Sequence, residues 1–493
     1  MSAKPEHFRF LFIGVGLFLI LIVCREFSVA DNGDFSRYMF QYVSKPLSLE
    51  VNWPQAGTAE WDARFFNQPI LYWSSGGGPE AFRWFTSAAW FWDAGAWLNR
   101  FFYHQDIIDL RYIGLPFFFL QAFAFTVLIL SLRGESKLFI VLGMLALLVF
   151  SDARIISYYN SFFAESVPVL TLFMVFSFFA VRSYGGGEDI SKGIRILHGG
   201  LTLALLWMAV LSKRQYIYFV APFLWFFWYL LLSLDMEKKR RRPLLFFVGG
   251  GLFLVSLTVL TVLNRVDNES ESYASRITSY HALYYGLLPH AKAPIELIEE
   301  IDLPSGSEKF IGKSSWNPES QLFIKNAESV NISTFLKAVL HDPQAYVKSA
   351  LWNAREVGNF DIPLGMVFGK DLGKPPAWVS GISSASTRVA GLGLLATAAV
   401  LSCFMLVLSF GLSGKRLVAH RFLLLLLACV LVADVMISTF DGQQEARKHV
   451  LVASLACLLI YAQATMASVT YVVELARTRR GDGEQCSQDI RAR

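Results

Sequence analysis

Two apolar runs separated by basic residues decide the fold class, and residues 216–264 read YIYFVAPFLWFFWYLLLSLDMEKKRRRPLLFFVGGGLFLVSLTVLTVLN. Each of the two runs, 216–234 and 244–264, approaches the roughly 20 apolar residues that an α-helix needs to cross a bilayer core. The run Lys238-Lys239-Arg240-Arg241-Arg242 lies between them. Short cytoplasmic connections retain Lys and Arg, so this connection is predicted to lie in the cytoplasm. The stretch therefore predicts two membrane-spanning helices joined on the inner side.

The rest of the chain repeats this pattern of long apolar blocks. Of its 493 residues, 54% are hydrophobic and 17% are charged, whereas soluble proteins carry about 25% charged residues. We predict an all-α polytopic membrane protein with about ten transmembrane helices, numbered one to ten. The predicted spans are 8–24, 112–132, 138–151, 167–181, 197–212, 216–234, 244–264, 389–412, 422–438 and 450–473.

The orientation follows by alternation from the basic connection at 238–242. It places both termini in the cytoplasm, and every predicted inner connection is basic. Residues 8–30 also fit a cleaved signal peptide ending at Ser28-Val29-Ala30, but Arg25 and Glu26 then fall in the cleavage region. A lipobox before Cys24 is the weaker alternative, because the residue before the cysteine is a bulky valine. We predict an uncleaved first helix and a multi-pass protein of a bacterial inner (cell) membrane.

Two predicted outer connections are too long to be passive loops. In the first, residues 80–104 interleave many aromatic residues with charges, which predicts a helix lying in the membrane interface; a surface helix packed on its own domain is the alternative. The second predicts a small, mostly helical outer domain. The predicted domains are a transmembrane module at 1–264 with catalytic outer loops 25–111 and 151–166, an extracytoplasmic loop domain at 265–388, helices eight to ten at 389–473, and a cytoplasmic tail at 474–493.

A polar motif follows helix one on the outer side. It reads Asp31-Asn32-Gly33-Asp34-Phe35-Ser36-Arg37-Tyr38. A carboxylate can deprotonate an attacking hydroxyl or hold a divalent ion, an arginine can neutralise a leaving phosphate, and a tyrosine can contact a sugar. The motif is therefore a candidate site for a phosphate-bearing substrate. The alternative is an Asx-turn and helix cap at Asp31 to Asp34, with Arg37 as a surface charge.

The arrangement resembles the GT-C class of integral membrane glycosyltransferases, in which helix one precedes an acidic outer loop and an amphipathic aromatic helix. Asp34-x-x-Arg37-Tyr38 is similar to the Asp-Glu-x-Arg-Tyr motif of the aminoarabinose and mannosyl transferases of that class. The resemblance implies a catalytic role for Asp34, with Asp31 as its substitute, and a polyprenyl phosphate sugar donor. Phe35 replaces the motif's second acidic residue, so no role is implied for position 35.

The predicted outer loop between helices three and four, 151–166, holds a second candidate cluster. Asp152 and Glu165 flank a stretch that includes Tyr159 and Asn160. Carbohydrate sites pair aromatic faces with amide and carboxylate groups, which favours sugar contact. The GT-C resemblance implies that such carboxylates hold a metal, the acceptor or the donor phosphate; a divalent metal ion is the one cofactor it suggests. The alternative is a solvated loop with incidental carboxylates.

Cations at two further outer turns complete the candidate site. Lys213-Arg214-Gln215 separates helices five and six, where positive charge runs against the topology rule, and this suggests contact with the donor phosphate. Snorkelling to lipid headgroups is the alternative. Arg447 and His449 precede helix ten, in a position similar to an arginine-containing motif of many GT-C proteins. Ordinary helix flanking explains these two residues equally well.

These observations predict an inverting glycosyltransferase that moves a sugar from a polyprenyl phosphate carrier to a glycan, lipid or protein acceptor at the outer face of the membrane. A transporter or flippase of lipid-linked glycans, a polysaccharide polymerase or ligase, and a non-enzymatic scaffold remain alternatives. A transporter favours charged groups at mid-membrane, whereas the predicted spans are nearly free of charge apart from Asp434. Membrane lipid is an expected partner and nucleic acid is not, because no continuous basic stripe is present.

Overall fold

The computed structural model describes the chain in segments, and the structural statements below concern these residues. They are 5–26, 41–47, 72–76, 86–132, 136–184, 191–233, 250–251, 254, 275–315, 317–358, 367–368, 371–372, 415–441 and 450–491.

Helices dominate the described residues. The α-helices are α1 (Pro5–Glu26), α2 (Ala88–Phe102), α3 (Leu110–Ser131), α4 (Ser136–Phe150), α5 (Ala153–Ile156), α6 (Ser166–Tyr184), α7 (Lys192–Ser212), α8 (Val220–Ser233), α9 (Pro294–Glu300), α10 (Pro318–Asn326), α11 (Ile332–His341), α12 (Pro343–Asn353), α13 (Lys415–Ser438) and α14 (Leu451–Arg491). The strands are β1 (Val43–Pro46), β2 (Tyr72–Ser75), β3 (Ile107–Asp109), β4 (Val367–Phe368) and β5 (Asp371–Leu372). Short 3-10 turns cover Ser157–Asn160, Arg214–Phe219, Leu288–His290, Ser307–Phe310, Ala354–Glu356 and Thr439–Asp441, and a π-helix covers His281–Leu287.

Long apolar helices confirm the all-α polytopic membrane fold. Within the described residues, seven segments are long and apolar enough to cross a membrane: Phe8–Arg25, Leu110–Ser131, Leu138–Asn160, Ser166–Ser183, Gly193–Ser212, Ala419–Ser438 and Leu451–Val472. A shorter apolar helical segment, Gln215–Leu231, matches predicted helix six. Predicted helices seven and eight fall largely outside the described residues, so the count of about ten stays a prediction.

Helix α6 occupies the centre of the membrane-spanning bundle. Its neighbours are α3, α7, α13 and α14, and 94% of its apolar segment is buried. Ser177 Oγ donates to Ala124 O of α3 at 2.7 Å, and Thr171 Oγ1 reaches Leu205 O of α7 at 3.0 Å. Side-chain hydrogen bonds between helices hold a bundle together where lipid supplies little hydrophobic driving force. Apolar packing and these bonds therefore fix α6 against the helices that carry the candidate site.

Contacts at the two ends of the bundle agree with the predicted alternation of helices. At the predicted inner end, Arg9 Nη2 donates to Leu132 O at 3.1 Å, which joins the start of helix one to the end of helix two. At the predicted outer end, Asn160 Nδ2 donates to Cys24 O at 3.1 Å. The segments assigned to the outer side thus meet at one end of the bundle.

The first outer connection contains both the predicted helix and a small sheet. Helix α2 packs on α3, and Gly95 allows the close approach, since a Cβ there would collide with the backbone of Ile113. The opposite face exposes Trp90, Trp97 and Phe101. An exposed aromatic stripe suits a membrane interface, and the interfacial position remains a prediction. Strands β1, β2 and β3 form an antiparallel sheet that the sequence pattern did not predict.

The second outer connection folds around a core of its own. Residues 275–358 are mostly helical, as expected, and Tyr280, Tyr284 and Phe310 lie in this core. The segment contacts the 3-10 turn that follows α13, where Phe335 packs on Phe440 with ring centroids 4.8 Å apart. The predicted domain boundaries themselves remain predictions.

Two helix ends lie farthest from the sequence-based boundaries. Helical structure continues past the predicted end of helix three at 151, through α5 and a 3-10 turn to Asn160, because Ile155, Tyr158 and Tyr159 are buried there. Helix α14 continues through the predicted tail as far as Arg491. Hydropathy locates a membrane span but is blind to helical structure that continues in a polar sequence.

Candidate functional site

The segment 151–166 is buried at the predicted outer end of the bundle. The side chain of Asp152 is fully buried and that of Glu165 is 2% exposed. This burial excludes the alternative of a solvated loop with incidental carboxylates. Buried carboxylates need partners, and the two acidic residues find different ones.

Asp152 pairs with a residue that the sequence interpretation did not select, Arg154. The backbone N–H of Arg154 donates to Asp152 Oδ1 at 3.1 Å, and its Nη2 lies 3.3 Å from Oδ2. Asp152 therefore caps the short helix α5 and has its charge balanced locally. The only signal in the sequence is the two-residue spacing of an Asx-turn.

Glu165 and Lys213 form an ion pair that joins two of the predicted clusters. Lys213 Nζ donates to Glu165 Oε1 at 3.0 Å, across 48 positions of sequence. The Lys213 side chain is only 15% exposed. The pair connects the start of α6 to the end of α7. The structure thus brings together Lys213 of the candidate cluster Lys213-Arg214-Gln215 and Glu165 of the candidate cluster at 151–166.

The start of α2 is bonded to the same end of α7. Thr86 Oγ1 donates to Ser212 O at 2.7 Å, the Ser87 N–H donates to Leu211 O at 3.1 Å, and Ser87 Oγ donates to Met208 O at 2.5 Å. The last four carbonyls of a helix have no partner within it, so the bonds to Leu211 O and Ser212 O satisfy groups that would otherwise be orphaned. They fix the backbone immediately before Lys213.

Asn160 and Tyr159 attach segment 151–166 to the neighbouring helices α1 and α3. Asn160 Nδ2 bonds to Cys24 O, and Gly114 of α3 leaves space for this side chain, because a Cβ there would meet Asn160 Oδ1. The Tyr159 ring is fully buried and stacks on Phe117 with centroids 5.2 Å apart. A sugar cannot reach that ring in this structure, so Tyr159 acts as a packing residue here.

The first candidate motif lies outside the described residues, as do its members Asp31, Asp34, Arg37 and Tyr38. The described residues on either side of it both contact segment 151–166. Cys24 accepts the bond from Asn160, and the Tyr42 ring stacks on Phe162 with centroids 5.2 Å apart. Tyr42 Oη also donates to Asp93 of α2 at 2.8 Å. The chain thus leaves segment 151–166 before the motif and returns to it afterwards.

An arginine clamp, missed in the sequence interpretation, holds the exit of α1. The guanidinium of Arg111 binds Asp109 through Nε, 2.9 Å from both carboxylate oxygens, and through Nη2, 2.6 Å from Oδ2. Nη2 also donates to Tyr72 Oη at 2.9 Å, and Nη1 to Arg25 O at 3.3 Å. A planar fork can satisfy several acceptors at once. The clamp ties β2, β3 and the end of α1 together.

The remaining candidates are described only in part. The backbone of Arg214 lies in the 3-10 turn Arg214–Phe219. Gln215 in the same turn is partly buried. Arg447 and His449 lie outside the described residues. In this region Asp434 is buried, accepting from Tyr218 Oη at 2.7 Å and from the Ala453 N–H at 2.8 Å. Asp434 therefore supplies an acceptor to the first turn of α14, where backbone N–H groups lack helical partners.

An apolar groove begins next to Tyr218, the residue that donates to Asp434. It has a volume of about 340 Å³ and runs between the segment that follows Lys213 and helix α13. Its lining includes Ile217, Tyr218, Pro222, Cys429 and Ala433. The Tyr216 N–H donates to Lys213 O at 2.9 Å, so one helical turn separates Lys213 from the groove.

A metal ion is not supported by the described part of the site. Among those residues, no three His, Cys, Asp or Glu side chains are grouped so that they could hold one. The acidic residues Asp31 and Asp34 are not among these side chains, because they lie outside the described residues.

Comparison with known families identifies the transmembrane part. The model of the YfdI N-terminal transmembrane domain matches residues 2–335, about two thirds of the chain. A search of curated protein sequences found no match. The chain therefore belongs to the YfdI N-terminal transmembrane domain family, and it is an integral multi-pass membrane protein.

Proposed function

We propose that the chain is a GT-C glycosyltransferase. The premise is its membership of this family, whose namesake is a glycosyltransferase-like membrane protein. The chain transfers a sugar from a polyprenyl phosphate to a glycan, lipid or protein acceptor at the outer face of a bacterial inner membrane. The observation that carries the proposal is a partly buried cation, Lys213, one helical turn from an apolar groove. A polyprenyl phosphate has the matching chemistry, an anion joined to a long hydrocarbon chain.

Lys213 is the expected partner of the donor phosphate. Its ammonium group already holds an anion, the Glu165 carboxylate, at 3.0 Å. A phosphate can take the place of that carboxylate or share the ammonium with it, since Lys has three donors. As the bond from sugar to phosphate breaks, negative charge grows on the phosphate, and a fixed cation stabilises that charge most in a site shielded from water. Arg214 and Arg447 are proposed to assist.

Asp34 is proposed as the general base that removes the proton of the acceptor hydroxyl. The support is the Asp34-x-x-Arg37-Tyr38 pattern, together with the contacts that flank it. Cys24 before the motif and Tyr42 after it both contact segment 151–166, and this segment contains Glu165, the partner of Lys213. Proton removal and phosphate release have to occur within one site, and these tethers favour such an arrangement.

The buried Asp434 favours a transferase over a transporter. Transporters use intramembrane carboxylates to bind ions or substrate. Both carboxylate oxygens of Asp434 accept hydrogen bonds from the protein, one from Tyr218 and one from the first turn of α14. A structural role accounts for this residue.

A transfer assay tests the proposal directly. Purified protein in nanodiscs is incubated with radiolabelled polyprenyl phosphate sugars and a panel of glycan, lipid and protein acceptors. The expected result is label covalently attached to an acceptor and free polyprenyl phosphate as the other product. The matched variants are Lys213→Ala, expected to lose donor use, and Lys337→Ala, a surface lysine near Asp302 that is expected to have no effect.

Two other outcomes would contradict the proposal. Labelled lipid that crosses the bilayer of a proteoliposome with its sugar linkage intact would identify a transporter. Transfer of an intact glycan from a polyprenyl diphosphate, with no use of monophosphate sugars, would identify a polymerase or ligase.

A further inference from the structure

Helix α12 lies at the level where a membrane span ends. Tyr346 Oη donates to Met436 O at 2.8 Å, and Asn353 Nδ2 donates to Ser438 Oγ at 3.1 Å. Both acceptors belong to the last turn of the apolar segment Ala419–Ser438. One helical turn is about 5 Å long, so α12 sits within roughly that distance of the end of the span.

The chain after α12 enters the bundle itself. Ala354 and Val357 pack in the main core of the transmembrane helices, and the Gly358 N–H donates to Ser454 Oγ of α14 at 2.9 Å. The helix is therefore attached to the bundle along its length and beyond its C-terminal end. Its depth relative to the membrane is set by these contacts.

The outward face of α12 carries exposed apolar residues beside a cation. Val347 and Leu351, four positions apart, are 48% and 56% exposed. Lys348, three positions before Leu351, is exposed alongside them, and Arg355 is exposed in the 3-10 turn that follows the helix. Residues three or four positions apart share one side of an α-helix, so Leu351 lies on the same side as Val347 and Lys348. Single exposed apolar residues are ordinary at a protein surface, so it is the position of this pair beside the end of a membrane span that indicates a partner.

Positive charge concentrates around this face. Within the described part of the chain, neither Lys348 nor Arg355 forms an ion pair, whereas Lys337 of α11 lies 3.9 Å from Asp302. Burial lowers the pKa of His290, and the positive charges of Lys348 and Arg355 lower it further. A partner for this face therefore needs apolar groups and negative charge.

We propose that this face of α12 and the turn that follows it bind the outer leaflet of the membrane, with Val347 and Leu351 at the acyl boundary and Lys348 and Arg355 on the phosphates of anionic phospholipids. Amphipathic helices lie in this way when apolar and basic residues share one side. The long stems of Lys and Arg let the charged groups reach the phosphates while the stems cover apolar surface. The surface would hold the outer domain down on the membrane, whatever reaction the protein performs.

Quenching of a site-specific fluorophore tests the proposal in the full-length chain. Leu351→Cys is made in a background with the native cysteines replaced by serine, labelled with an environment-sensitive dye and reconstituted in nanodiscs containing phosphatidylglycerol. The matched control is Leu322→Cys on α10, which is 65% exposed in the same outer domain. A nitroxide attached to the lipid chain should quench the dye at 351 at least about threefold more than at 322, and aqueous iodide should show the opposite order.

Charge reversal tests the two basic residues, Lys348 and Arg355. The double change Lys348→Glu and Arg355→Glu should reduce lipid quenching at 351, and Lys337→Glu should leave it unchanged. Replacing phosphatidylglycerol with phosphatidylcholine should act like the charge reversal. Equal iodide access at 351 and 322 would overturn the proposal. A dye at 351 shielded from both quenchers would also overturn it, because the partner would then be protein.

Discussion

Removing the negative charge of Glu165 separates a structural role of its ion pair from a role in binding the donor. Glu165→Gln keeps the shape of the side chain and leaves the Lys213 ammonium group without this carboxylate. At an effective dielectric constant of about 20, two unit charges 3.0 Å apart attract by about 5.5 kcal/mol. Desolvation of both groups and the partial exposure of Lys213 offset part of this attraction. We expect a loss of about 2 to 3 kcal/mol of stability.

A double-mutant cycle measures that coupling. Glu165→Gln, Lys213→Met and the double variant are compared by thermal unfolding in detergent micelles. Each single variant leaves one charge in a mostly buried place, so the double variant should be less destabilised than the sum of the two. Strict additivity would show that the two charges do not interact and would refute the geometry on which the site rests.

Donor binding gives the second measurement of the same variants. If Lys213 binds the phosphate, Glu165 competes with the donor, and Glu165→Gln should bind a polyprenyl phosphate more tightly while Lys213→Met loses binding. If the pair only connects α6 to α7, donor affinity should follow stability and fall in both variants. Tighter binding in one variant and weaker binding in the other cannot arise from a general loss of folding.

Three further predictions test other parts of the site. Asp34→Asn should lower transfer at least about a hundredfold with membrane insertion unchanged, since a general base contributes about 10² to 10⁴ in rate; near-normal transfer would remove the catalytic assignment. A polyprenyl phosphate that carries a photoreactive group on its hydrocarbon chain should crosslink to α13 near Cys429 and Ala433 if it fills the groove, and unlabelled polyprenyl phosphate should block this reaction. Arg111→Lys should lower stability by about 1 to 3 kcal/mol in thermal unfolding, because an ammonium group cannot replace the fork on Asp109; an unchanged melting temperature would contradict the clamp.

Hydropathy predicted most of the transmembrane helices because a membrane span has a length and a composition of its own. Predicted helix two, 112–132, differs from α3 by two residues at its start and one at its end. Helix α7 begins at Lys192, five residues before the predicted 197, because Ser191 caps a first turn that is too polar for a hydropathy window. Strands β1 and β2 escaped prediction, since four-residue strands paired across a long connection leave little pattern in the sequence.

The sequence predicted which side chains belong to the candidate site, but it did not predict which of them pair with one another. Lys213 is a candidate because positive charge on the predicted outer side is unusual, and Glu165 because it flanks a stretch of aromatic and amide side chains. Their contact spans 48 positions and leaves no periodic signal. The sequence pattern assigns no role to Arg154 or Arg111, although each stands two residues after the aspartate that it binds. Long-range pairing depends on how the helices pack, which hydropathy does not encode.

The bonds from Thr86 and Ser87 to the end of α7 have a mechanical consequence. They join the start of the surface helix α2 to the last turn of a transmembrane helix, so the two helices form a rigid elbow. If the aromatic stripe of α2 follows the level of the bilayer surface, a thinner or thicker bilayer turns this elbow and displaces the Lys213 backbone with it. Membrane thickness would then become a variable of the site, and lipid chain length a means of adjusting it from outside the protein.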